Sequence, residues 1–159
     1  YRRIFTEEAL NENLTEEDMA AFNTWVANGG SETLNSISGC DREDILEIID
    51  YVREAPLYDS VRVNNKDFLL VHSGLGEFDP NKDMSDYSAD ELIWTRPDLT
   101  QKYFDDMITI LGHTPTHFYG EKYRGKAVVT DTWIDIDTGA ACGGSPMLLR
   151  LDDMKEFYV

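Results

Sequence analysis

Ser60-Val61-Arg62-Val63-Asn64-Asn65-Lys66-Asp67-Phe68-Leu69-Leu70-Val71-His72-Ser73-Gly74 decides the fold. Val61 and Val63 alternate with polar neighbours, the two-residue period of a strand with one face on a core. Asn64-Asn65 is a turn signal, because asparagine tolerates the backbone twist that a tight hairpin demands. Phe68 to Val71 drops the alternation and is apolar throughout, as a strand covered on both faces must be. A β-hairpin with a doubly covered second strand is therefore predicted.

The reading extends in both directions from there. On the N-terminal side, Thr15 followed by Glu16, Glu17 and Asp18 marks a helix start with acids over the positive end of the helix dipole. Met19, Phe22 and Val26 follow at helical spacing, and Gly29-Gly30 is expected to stop that helix. Asp41 caps a second helix with Ile45, Leu46, Ile48, Ile49 and Val52 on one face, ended by Pro56. On the C-terminal side, 79–86 is a polar loop and 88–94 a short helix burying Leu92 and Ile93. Strands are predicted at 107–111, 127–130, 133–136, 147–151 and 156–159. Helices come first and strands later, so the class is α/β of the α+β kind, with mostly antiparallel or mixed strands. No composition shift divides the chain, and 1–159 is expected to form a single domain or part of one.

Composition narrows the function. The 159 residues carry 14 Lys and Arg against 31 Asp and Glu, a net charge of −17. So acidic a surface repels phosphate backbones and anionic lipid, which argues against nucleic-acid and membrane partners. No apolar run approaches the roughly 20 residues that cross a bilayer. Tyr1-Arg2-Arg3-Ile4-Phe5 resembles neither a translation start nor a signal peptide. Cys40 and Cys142 form no CxxC pair, and two reduced thiols in a cytoplasmic protein are expected. Asn13-Leu14-Thr15 matches a glycosylation pattern only formally.

Two of the three histidines end apolar strands. Val71 delivers His72 into Ser73-Gly74, and Leu111 delivers Gly112-His113-Thr114-Pro115. Rigid strands beneath and small residues around suit a ligand or an acid–base group, and two neutral imidazoles at one sheet edge can bind a divalent metal. The same pattern also fits two half-buried histidines bonded to backbone carbonyls. His117, four residues after His113, would share a metal only on a helix, and Pro115 points to a loop. Arg96, in Ile93-Trp94-Thr95-Arg96, suits a phosphate clamp or a salt bridge to one of the many acids. Asp131, Asp135 and Asp137 alternate along a strand; they form either a metal-holding row or a solvated face.

Asn28-Gly29-Gly30, Val71-His72-Ser73-Gly74, Ile93-Trp94-Thr95-Arg96, Gly112-His113-Thr114-Pro115 and Ile136-Asp137-Thr138-Gly139 with Cys142-Gly143 occur in this order. Together they resemble the C-terminal half of bacterial and phage phosphoprotein phosphatases of the calcineurin-like metallophosphoesterase superfamily. The resemblance implies the second half of a layered α-β-β-α sandwich. It implies a metal-dependent serine/threonine protein phosphatase with two divalent ions, manganese or iron and zinc, in which a metal-bridging hydroxide attacks phosphorus in line. Carried over, His72 and His113 ligate one metal and Arg96 binds the substrate phosphate. The Cys142 turn would be structural at the mouth of the site, since no Arg follows at the C-x5-R spacing of a cysteine phosphatase.

The family's GDxHG, GDxxDRG and GNHE motifs do not occur in this sequence, so half of the metal ligands and the acid group are lacking. The expectation is therefore a chain that is inactive alone and completed by an N-terminal half of the same protein. Expected substrates are phosphoproteins or phosphorylated small molecules. Two alternatives stand beside this: a dinucleoside-polyphosphate hydrolase of the same superfamily, and a non-catalytic acidic domain that binds a basic partner.

Overall fold

A computed structural model describes residues 15–159, which divide into two compact units on either side of the Ala55–Pro56 bond. The opening residues and Asn13 of the glycosylation pattern lie outside the described residues.

In the first unit, α1 (Glu16–Trp25) begins with a reciprocal cap. The Thr15 hydroxyl accepts from the Asp18 amide at 3.2 Å, and the Asp18 carboxylate accepts from the Thr15 amide at 3.0 Å. The Gly29-Gly30 pair does not end the helical region as expected. It kinks the chain, with Gly29 at φ +95°, and α2 (Ser31–Ile37) follows directly. Glycine is required because an added Cβ on Gly30 would lie 2.4 Å from the Trp25 indole. Helix α3 (Arg42–Glu54) starts where predicted: the Asp41 carboxylate accepts from the Glu43 and Asp44 amides at 2.9 and 3.0 Å. Ile49 is buried on its apolar face, whereas Ile48 and Val52 are exposed.

The second unit is built on a five-stranded mixed sheet of order β1-β2-β3-β5-β4. Strands β1 (Tyr58–Val63) and β2 (Lys66–Val71) form the predicted antiparallel hairpin. Its two-residue turn holds Asn64 at φ 49° and Asn65 at φ 63°, the left-handed pair that matches strand twist. Strand β3 (Met107–Leu111) runs parallel to β2, and the long crossover that a parallel pair requires joins them. That crossover carries α4 (Ala89–Ile93), capped by Ser88. Strand β5 (Trp133–Asp135) is parallel to β3, and β4 (Val128–Val129) closes the far edge antiparallel to β5. Strands β6 (Met147–Arg150) and β7 (Lys155–Tyr158) form a separate hairpin. The architecture is mixed α and β, with helices first and a mixed sheet after them.

Side chains alternate across the sheet and serve two cores. Leu69, Val71, Leu111 and Trp133 pack on one face with Leu75, Tyr87, Leu92 and Tyr103 from the crossover. Phe68, Ile110 and Ile134 pack on the other with Leu149, Leu151 and Met154 from the second hairpin. The continuous Phe68–Val71 run is thus explained: each successive residue enters the opposite core. The buried Trp133 indole N–H donates to the Gln101 carbonyl at 3.0 Å, so the large ring leaves no polar atom unpaired. Among the described residues no helix is long and apolar enough to cross a membrane.

The hairpin turn is a sensitive point, because Asn64 also donates from its side-chain amide to the Asp152 carbonyl at 3.0 Å. Asn64→Ala is expected to lose that bond and to strain the backbone, lowering stability by about 1–2 kcal/mol. Asn65→Gly is expected to raise it by a few tenths to about 1 kcal/mol, because glycine meets the positive φ freely. Urea denaturation of the two variants checks both signs.

Candidate active site

The parallel strands β2, β3 and β5 all end at one edge of the sheet, and the chemistry-bearing residues follow those ends. The ladder runs past the strands: the Gly112 amide donates to the His72 carbonyl at 3.0 Å, and the Ile136 amide to the Leu111 carbonyl at 2.9 Å. His72, His113 and Asp137 are therefore fixed at neighbouring positions beyond three adjacent strands. Open sheets with parallel strands offer their binding crevices at this end.

His72 Nε2 and His113 Nδ1 lie 3.2 Å apart, with ring centroids 5.0 Å apart. The Trp94 indole stands edge-on to His113 at 5.4 Å. His113 sits at φ +67°, a left-handed conformation that costs a non-glycine residue about 1–2 kcal/mol. Its Nε2 is buried with no hydrogen-bond partner among the described residues. Burial, then the Arg96 guanidinium and His72, push the His113 imidazole toward the neutral form, opposed by Asp137. Arg96 Nη1 donates to Thr114 Oγ1 at 3.4 Å, which carries the guanidinium to the residue beside His113.

Two arrangements satisfy the 3.2 Å separation of the ring nitrogens. One is a hydrogen bond with a single shared proton. The other is a pair of lone pairs converging on one cation: nitrogens about 2.1 Å from an ion and this far apart subtend about 100°, within the range of four- to six-coordinate sites. The donor pair thus fits two ligands of one ion. Among the described residues no group of three His, Cys, Asp or Glu side chains gathers to hold a metal. The pair accounts for part of one coordination sphere and for none of a second.

The small residues do not all act as expected. Gly112 leaves ordinary room, since an added Cβ would lie 3.7 Å from Asp137 Cβ and from the His72 carbonyl oxygen. The tight approach is at Gly74, at φ +153°, where a Cβ would come within 2.7 Å of the Tyr103 hydroxyl. That hydroxyl accepts from the Leu75 amide at 3.1 Å and ties the loop after His72 to the core. His117 lies in the single 3-10 turn Thr116–Tyr119, stacked on Phe118 at 4.7 Å. Cys142 is exposed on a short turn between Gly139 and Gly143, and both cysteines are free thiols.

The aspartate row is neither a metal-holding group nor a solvated face. Asp131 is exposed in the turn before β5, Asp137 is half-buried beyond it, and Asp135 is completely buried. Strand period explains this, because Asp135 is two residues from Trp133 and shares its covered face. Asp135 accepts from the Tyr119 hydroxyl at 3.2 Å and from the Asp137 amide at 2.8 Å. The alternation of acids with Trp133 and Ile134 carried the signal for Asp135. Nothing in the sequence pointed to Tyr119 as a neighbour of the site, and Trp94 entered only as part of the Ile93–Arg96 motif.

Desolvation raises the Asp135 pKa to about 7. A folded-state pKa above the ordinary carboxylate value means that the folded protein binds the proton more tightly. Stability is then full below about pH 4 and falls as pH rises to about 7. Asp135→Asn keeps the acceptor for the Asp137 amide and removes the charge. It is expected to be more stable than the parent at pH 8, by on the order of 2–4 kcal/mol, with little gain at pH 4. Denaturant melts at the two pH values test this; a pH-independent difference would contradict the assignment.

No protein-family model matches the sequence, and no curated protein matches it.

Proposed function

We propose that this chain carries part of the active site of a metal-dependent phosphoester hydrolase of the calcineurin-like kind, acting as a serine/threonine protein phosphatase. On this reading the second unit contributes the C-terminal half of a layered α-β-β-α sandwich. One observation carries the proposal: His72 and His113 present ring nitrogens 3.2 Å apart at the ends of adjacent parallel strands. Arg96 reaches the residue next to His113 and supports a phosphate-binding role.

His72 and His113 would hold one divalent ion, manganese, iron or zinc, and such ions polarise phosphoryl oxygens and neutralise their charge. The chain's own residues orient and bind. The neutral bias on His113 keeps its ring free to ligate rather than protonated. Arg96 offers paired N–H donors to two phosphoryl oxygens, a geometry lysine does not reproduce. Trp94 stands edge-on against one side of the His113 ring. The further ligands that two-ion chemistry needs, carboxylates above all, would come from an N-terminal half of the same protein.

A second reading, a non-catalytic acidic domain that binds a basic partner, is favoured by the lack of a third ligand among the described residues. Titration with Mn²⁺ separates the two. The phosphatase reading expects paramagnetic broadening of the His72 and His113 ring signals before any others, with the broadening of His72 abolished by His113→Ala. In the active polypeptide the same substitution is expected to lower turnover of a phosphoserine peptide by about a hundred-fold or more. Arg96→Ala is expected to weaken phosphate binding and turnover together. Mn²⁺ broadening confined to surface carboxylates would favour the acidic-domain reading instead.

A further inference from the structure

Arg96 also borders a cavity of about 520 Å³ on the side of the crossover, and its lining is chemically lopsided. Its accessible lining is mostly polar; beneath it Phe78 stands edge-on to Tyr103 at 5.2 Å, with Tyr103 and Pro97 buried. The rim carries two carboxylates, Glu77 and Asp98. Asp98 Oδ1 accepts from the Thr100 amide at 2.7 Å and from the Thr100 hydroxyl at 2.5 Å. Those bonds hold the side chain in place and, with the Gln101 amide, keep it ionised below the usual carboxylate range. Glu77 makes no ion pair among the described residues.

We propose that this cavity receives a lysine or arginine side chain next to the phosphorylated residue, making the preferred substrate a phosphopeptide with a basic flank. The inference rests on the reading that Arg96 binds the phosphoryl group. A basic side chain entering this mostly polar cavity would pass the half-buried Phe78 ring and bring its charge to the rim, where the two carboxylates stand. The same guanidinium that borders the cavity contacts Thr114 beside the histidines, so phosphate and flank would be gripped by adjoining surfaces. The chain's charge of −17 steers cationic peptides toward it and opposes a polyphosphate, whose further negative groups would meet Glu77 and Asp98.

The test is calorimetric titration of the full chain with phosphoserine peptides carrying Arg, Ala or Glu on both sides of the phosphoserine. The Arg peptide is expected to bind about five-fold tighter than the Ala peptide, with the Glu peptide weakest and the differences shrinking in high salt. In the double variant Glu77→Gln, Asp98→Asn, the ratio of Arg to Ala affinities is expected to fall below about two. Both side chains are exposed, and circular dichroism checks that the variant keeps its fold. If the Ala peptide binds, loses affinity in Arg96→Ala, and gains nothing from flanking Arg, the cavity proposal is overturned while the phosphate role of Arg96 stands. A preference for diadenosine tetraphosphate over every peptide likewise overturns it. No binding of any phosphopeptide overturns both.

Discussion

The parallel pairing of β2 with β3 and of β3 with β5 is the constraint on which the candidate site depends. Phe68 and Leu69 are fully covered and serve opposite cores, so a slip of β2 by one residue would exchange them and expose both packings. The register is therefore held from both faces. Because the ladder continues to the His72 carbonyl and the Gly112 amide, that hydrophobic constraint is passed directly to the two histidines. Their 3.2 Å approach is a consequence of core packing.

Around this edge the molecule tolerates features that a stability optimum would avoid. His113 holds a left-handed backbone and a buried unpaired nitrogen. Asp135, on the neighbouring strand, is buried with a raised pKa and only neutral donors for company. Each costs on the order of 1–3 kcal/mol, and they occur where three parallel strands end together. Exceptions also occur elsewhere, with Glu77 and Met154 left-handed and Thr109 Oγ1 buried without a partner among the described residues, although α1, α3 and α4 all begin with reciprocal side-chain caps.

Much of this was legible in the sequence because it obeys short-range rules. The caps at Thr15 and Asp41, the Asn64-Asn65 turn and the unbroken apolar run of β2 each rest on a few neighbouring residues. What was not legible depends on distance along the chain. That Gly29-Gly30 turns one helix into the next, rather than stopping it, follows from the Trp25 ring lying against Gly30. Tyr119 reaching Asp135, and Trp94 standing against His113, join segments that only the sheet brings together. The aspartate row shows how period can mislead. Alternation correctly gave a strand, but Trp133 on the same face as Asp135 should have placed that acid in the core.

Two independent counts bear on how the proposed site would be completed. The first is ligands: His72 and His113 supply two nitrogens, and two-ion phosphoryl chemistry needs a carboxylate to bridge the metals. The second is hydrogen bonds. If His113 ligates through Nδ1, its Nε2 carries a proton, and that buried donor needs an acceptor, which in metal sites is commonly a carboxylate or a backbone carbonyl. An anionic oxygen on a neighbouring segment answers both counts. Bringing more negative charge to a chain of −17 is costly unless cations accompany it. Metal binding and docking of the carboxylate-bearing segment would then be coupled, each weak without the other.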